Sequence, residues 1–243
     1  MKPFLLLSIR AEPAAAEEER DAFLRFLEIE PAALVRRQLG ADPLGNVDLD
    51  DWSGIVLGGG AFCVSDRESD KTLVQRRTEA DLAALLDLVV AADFPFLGAC
   101  YGIGTLGRHQ GGAVDRAHPE PVGPLAVSVT DQGARDPLFA GMPLTFAAYG
   151  GHKEALSVVP EGAVVLATSP ACPVQAFRVG MNVYATQFHP ELDLPGIVTR
   201  IAVYAGHGYF DPSEVADLQA RASSVDVAHP GLLLRNFARL HSR

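Results

Sequence analysis

The segment Gly98-Ala99-Cys100-Tyr101-Gly102 sets a cysteine between small residues, where the apolar run Phe94 to Gly98 gives way to a helix beginning near Tyr101. Small flanking residues let a strand turn abruptly into a helix, leaving a nucleophile at the tip of a strained bend. The helix N-terminus is expected to draw the thiol toward thiolate. The Tyr101 N–H is expected to face the point where an oxyanion would develop. About 90 residues later comes Gln187-Phe188-His189-Pro190-Glu191. His189 leaves an apolar strand, and Pro190 fixes the chain behind it. Glu191 is close enough to accept a hydrogen bond from the imidazole, hold its tautomer and stabilise imidazolium. A nucleophile, a base and a carboxylate that orients the base are the parts acyl transfer requires. Singly, Cys100 reads equally well as a buried structural thiol and His189 as a structural or surface histidine. Together they point to catalysis.

The elements that must position these groups alternate in the first half. Pro3 to Ile9 reads as a buried strand, and Glu17-Glu18-Glu19 opens a helix through Phe23 and Leu27. Pro31 to Leu39 reads as a short helix with proline in its first turn and Gly40 beyond its end. Ser53 to Leu57 is a strand that breaks into Gly58-Gly59-Gly60, Leu73 to Ala92 a long helix, and Phe94 to Gly98 the strand before Cys100. This alternation predicts a parallel, doubly wound sheet. The second half predicts closely spaced, partly antiparallel strands at 125–130, 144–148, 163–168, 174–179 and 182–187. Helices are expected at 194–204, 213–221 and 232–240. The whole chain, 1–243, reads as one domain with a core from about 4 to 204 and a helical tail from 206 to 243. Leu232, Leu233, Leu234, Phe237 and Leu240 would pack on that core or on a second copy, forming a homodimer.

Bulk composition narrows the partners. Thirty acidic against 20 basic residues give a formal charge of −10, which opposes nucleic acid. No stretch approaches the roughly 20 apolar residues that span a bilayer, and the first strand lacks the features of a signal peptide. Cys63, Cys100 and Cys172 are too scattered for a disulfide framework, which suits a reducing cytoplasm. Cys63 and Cys172 read as buried or loop thiols. No metal and no cofactor is expected, and Gly58-Gly59-Gly60 lacks the Gly-Lys-Ser/Thr of a phosphate loop.

At the two catalytic motifs the sequence resembles the class I glutamine amidotransferases, above all the glutaminase domain of GMP synthase and its stand-alone relatives. Ser53 to Gly60 resembles the family's strand and glycine turn, and Tyr149-Gly150-Gly151-His152-Lys153-Glu154 its loop beside the substrate pocket. The resemblance covers about 4 to 204. It implies an α/β, flavodoxin-like three-layer fold with a mostly parallel sheet flanked by helices. It also implies glutamine hydrolysis through a γ-glutamyl thioester at Cys100, served by His189 and Glu191. The oxyanion hole would be the Gly60 and Tyr101 N–H groups, and Gly59, Gly104 and His152 would line the substrate site. Ammonia would pass to a synthetase partner, because the residues after Tyr204 are too few for a synthetase domain. Relatives commonly carry Gln where this chain has Gly104, which either leaves extra room for a larger substrate or permits close helix packing. Two alternatives follow: a γ-glutamyl hydrolase or peptidase acting on a small γ-glutamyl compound, and a non-catalytic regulatory protein of the same fold.

Overall fold

The computed structural model describes residues 2–206, 208 and 210–243. Five strands form the centre of one sheet: β1 (Phe4–Ser8), β2 (Leu34–Gln38), β3 (Gly54–Leu57), β4 (Phe96–Ala99) and β11 (Val183–Thr186), all parallel, in the order β2-β1-β3-β4-β11. Beyond β11 the sheet continues through β10 (Ala176–Val179), β9 (Val164–Thr168), β6 (Glu120–Val129) and β7 (Thr145–His152). Each of these four pairs antiparallel to its neighbour, so β10 and β6 run against the other strands. A separate ribbon joins β5 (Ala113–Asp115) to β8 (Ala155–Val158).

Alternation along β1 shows why helices cover both faces. Leu5 and Leu7 enter one core with Ile55, Leu57 and Phe96, while Phe4 and Leu6 enter the other with Val56 and Leu97. A strand apolar on both sides must be buried on both sides. Helices α2 (Leu73–Ala91) and α3 (Tyr101–His109) fill the first face through Leu82, Leu85, Leu86, Val89, Ile103 and Leu106. Helices α1 (Pro13–Leu27) and α6 (Gly231–His241) fill the second through Phe23, Leu27, Leu233, Leu234 and Phe237. Helix α4 (Leu194–Val203) packs Ile197 and Ile201 against Leu218 and Ala222 of α5 (Val215–Ser223). The result is a flavodoxin-like three-layer α/β fold.

Two expectations change. Residues 34–38 form the edge strand β2, not a helix: Pro31 is taken up by a one-turn 3-10 segment, and Leu34 to Gln38 supplies the hydrogen bonds the outer edge of β1 needs. Helix α1 begins at Pro13, so Glu17 to Glu19 lie inside it rather than at its N-terminus. That shift carries Glu19 to the core side of the helix, where it is fully buried. In the tail, Leu233, Leu234 and Phe237 pack on the chain's own sheet. Among the described residues no helix is long and apolar enough to cross a membrane.

Candidate active site

Strand register brings the motifs together. On β4 and β11, Ala99 lies opposite Thr186, and the Cys100 N–H donates to the Thr186 carbonyl at 2.8 Å. Cys100 is therefore one residue past the end of β4, and His189 three past the end of β11. On the other side Leu57 lies opposite Gly98, so Gly58-Gly59-Gly60 leaves β3 at the same edge. The C-terminal edge of a parallel sheet is where open α/β folds bind ligands.

The nucleophile turn is tight. Cys100 has φ 53° and ψ −89°, a conformation L-residues seldom adopt. A Cβ on Gly98 would stand 2.8 Å from the Gly102 Cα, so glycine at 98 lets β4 fold back directly onto α3. Opposite the bend, the His189 N–H donates to the Tyr149 carbonyl at 2.9 Å, which fixes the base loop to β7. His189 Nδ1 then donates to Glu191 Oε1 at 2.7 Å, since a carboxylate can only accept. This leaves Nε2 as the proton acceptor. Gly59 fits between base and nucleophile: a Cβ there would lie 2.6 Å from His189 Cε1 and 3.3 Å from Cys100 Cβ. Cys100, His189 and Gly60 line one cavity with Arg10, Gly150, Gly151 and Arg200. Its outer wall is apolar, formed by Val122, Leu192, Ile197, Ile201 and Phe210, with Tyr204 at the rim.

Burial decides the protonation states. It pushes the Cys100 thiol up to about 12, outweighing the nearby Arg10 guanidinium. The helix N-terminus therefore does not leave a resting thiolate, contrary to the sequence expectation, because loss of solvent costs the anion more. Burial also holds His189 below its ordinary value, Arg200 and Arg10 adding to the effect and Glu191 opposing it. Burial would raise the Glu191 carboxyl, but His189 and Arg200 more than offset it and hold the group far below the usual carboxylate range. The empty site thus pairs a neutral thiol with a neutral imidazole beside a permanent carboxylate.

A buried ion network that no sequence motif marks surrounds this pair. Arg200 on α4 donates Nη1 to Glu191 Oε1 at 2.9 Å and Nε to Glu18 at 3.2 Å. Arg10, two residues past β1, donates Nε to Glu19 Oε1 at 2.7 Å and Nη1 to the Tyr204 hydroxyl at 3.0 Å. Ser8 donates to the second Glu19 oxygen at 2.9 Å. The only local signal is position: Arg10 follows a parallel strand at the edge where the other motifs end.

Gly104 and His152 sit elsewhere than expected. The extra room beside Gly104 is taken: a Cβ there would meet Val64 Cγ2 at 3.0 Å and Glu154 Oε1 at 3.1 Å. Glu154 accepts from the Val64 and Ser65 N–H groups at 2.9 and 2.8 Å, tying the loop after Gly60 to the β7–β8 turn. His152 is outside the cavity wall, its Nδ1 2.9 Å from the Glu154 carbonyl and its Nε2 2.9 Å from Glu120 Oε2. Glu120, His152 and Cys172 are also the one group with metal-compatible spacing among the described residues, their ligand atoms within 4.8 Å of one another. Their bonding is already internal: Glu120 accepts from His152, Ser169 and Gln175, and the Cys172 thiol donates to the Val174 carbonyl at 3.4 Å. All three cysteines are unpaired, and burial pushes Cys63 up to about 12 and Cys172 up to about 11.

Comparison with known proteins places these residues in context. The family model "Glutamine amidotransferase class-I" matches residues 41–195, which contain Cys100, His189 and Glu191. A glutamine-hydrolysing GMP synthase subunit from Thermoplasma acidophilum is 32% identical over 167 residues, covering 65% of this chain and 76% of that protein. A putative glutamine-hydrolysing GMP synthase of Halalkalibacterium halodurans is 37% identical over 110 residues, 45% of this chain and 20% of its own length. The matches thus span about a fifth of the longer GMP synthases. In structure, a glutamine amidotransferase from Thermotoga maritima superposes with a TM-score of 0.73 over 100% of both chains at 19% identity, a likeness of fold.

Proposed function

The chain belongs to the class I glutamine amidotransferase family, and on that premise we propose that it hydrolyses the side-chain amide of glutamine through a γ-glutamyl thioester on Cys100. The observation that carries this reading is the packing of Gly59 against both His189 Cε1 and Cys100 Cβ, with His189 Nδ1 held by Glu191 at 2.7 Å. When substrate enters, the Cys100 proton passes to His189 Nε2 and the sulfur attacks the amide carbon. The oxyanion is taken by the N–H groups of Gly60 and of Tyr101, the first residue of α3. His189 returns its proton to the departing nitrogen, and ammonia leaves. Water, deprotonated by the same imidazole, then cleaves the thioester to glutamate and free Cys100.

Ammonia formed here serves a synthetase on a separate chain in the cytoplasm, a reading supported by three unpaired cysteines and by the match to a separate GMP synthase glutaminase chain. A second reading keeps the thioester and changes the leaving group. The apolar wall beside Cys100 suits an amide whose nitrogen carries a hydrophobic substituent, as in a γ-glutamyl peptide. Ammonia release from glutamine, lost in Cys100→Ala, is the expected result. Cleavage of γ-glutamyl peptides with no ammonia from glutamine selects the second reading. Turnover that survives Cys100→Ala overturns both.

A further inference from the structure

We propose that Arg10 is the counter-cation of the Cys100 thiolate, a role that neither His189 nor Glu191 fills. The proposal rests on Cys100 being the nucleophile and adds what stabilises its charged form. β1 lies beside β3 with Leu7 opposite Leu57, so the chain leaving β1 reaches the same edge as Gly58-Gly59-Gly60. A Cβ on Gly59 would lie 3.2 Å from Arg10 Nη2 and 3.3 Å from Cys100 Cβ. Cation and nucleophile therefore flank one glycine, and both line the cavity. The guanidinium is held: Nε is fixed by Glu19 at 2.7 Å and Nη1 by Tyr204 at 3.0 Å, which turns Nη2 toward Gly59. Arg10 is 5% exposed and Glu19 0%, so the charge acts with little solvent screening.

Transfer of the Cys100 proton to His189 creates two charges in a site with little water. The S–H bond breaks, an N–H bond forms at Nε2, and the electron pair stays on sulfur. Glu191 faces the new imidazolium. The groups facing Cys100 besides His189 are Arg10, Glu191, Cys63 and Glu154; the last three disfavour a thiolate, and Arg10 favours it. Arg200 stands behind Glu191 and is bound to it at 2.9 Å. Each half of the ion pair thus has its own counter-ion, Glu191 for the ring and Arg10 for the sulfur.

The test reads thiolate supply without turnover. The purified protein is treated with iodoacetamide, which reacts with thiolate, and the Cys100 adduct is followed by peptide mass spectrometry across a pH series. Loss of a positive charge at this range moves a titration by a unit or more, so Arg10→Met should alkylate about tenfold more slowly at neutral pH, and Arg10→Lys less so. Glu19→Gln should alkylate faster, because it unmasks the Arg10 charge. Arg10→Met strands the buried Glu19 carboxylate, so Arg10→Met/Glu19→Gln is measured as well and should stay slower than Glu19→Gln alone. Equal rates in the native protein and Arg10→Met overturn the proposal. So does a Glu19→Gln variant slowed as much as Arg10→Met, which would mark a packing role. Neither outcome touches the proposed function, which falls on its own if Cys100→Ala retains turnover.

Discussion

Arg200 Nη1 lies 2.9 Å from Glu191 Oε1, the same oxygen that accepts the His189 Nδ1 proton at 2.7 Å, and 3.1 Å from Nδ1 itself. A guanidinium in that place orients the carboxylate and opposes a second positive charge on the ring. Arg200→Gln keeps a donor but removes the charge, so His189 should hold its proton to higher pH. The acid limb of kcat/KM against pH should move upward, with kcat down about tenfold if the carboxylate also loses its orientation. An unchanged acid limb would reduce Arg200 to a packing residue.

In the native enzyme the same limb should lie below the ordinary imidazole value of 6.5, because burial disfavours imidazolium at His189. The stability consequence has a definite sign. A histidine held neutral below its unfolded value costs stability as pH falls under about 6.5, where the unfolded chain takes up a proton the folded one resists. Glu191, held below its unfolded value, contributes stability above about 4.5 that is lost on further acidification. Both effects run the same way. Urea midpoints should therefore fall as pH drops from about 7 to about 5, and His189→Gln should flatten that dependence above pH 5. A midpoint equally acid-sensitive in His189→Gln would assign the loss to other groups.

The glycine between base and nucleophile gives a sharper test of geometry. In Gly59→Ala the new methyl would stand 2.6 Å from His189 Cε1, inside van der Waals contact, and 3.2 Å from Arg10 Nη2. The ring must move, and displacements of about 1 Å at a reacting group can cost on the order of a hundredfold in rate. Turnover should fall by about that factor while the thermal midpoint changes little, since the clash faces a cavity. Retained activity would mean that His189 is not held where the reaction needs it.

The catalytic motifs were legible because each is local: an elbow within five residues, a base and its orienter two apart, a strand ending in glycines. Parallel strands then bring such ends to one edge without further instruction. The ion network was not legible, since Arg200 meets Glu18 across 182 residues and Arg10 meets Tyr204 across 194, and no period or spacing marks such pairs. Residues 34–38 misled for a different reason. Their proline and glycine punctuation fits a helix, and only the open edge of β1 makes them a strand. The ribbon of β5 and β8 went unread because each strand is four residues or fewer. The departure at Gly104 was visible, but the space beside it depends on Glu154, fifty residues away in the chain.

Strain at the nucleophile predicts an inversion of the usual ranking of glycine and alanine. At φ 53° and ψ −89° a side chain at position 100 forces an unfavourable backbone, and glycine alone relieves it. Such conformations cost on the order of 1–3 kcal/mol, against the roughly 0.5–1 kcal/mol that glycine loses to unfolded-chain entropy relative to alanine. Cys100→Gly and Cys100→Ala should both abolish turnover, but Cys100→Gly should be the more stable by about 1 kcal/mol. Paired urea denaturation of the two inactive variants measures the difference directly. If the alanine variant proved equally stable or more so, the elbow would hold its thiol without strain, and the reach of Cys100 into the cavity would need another cause.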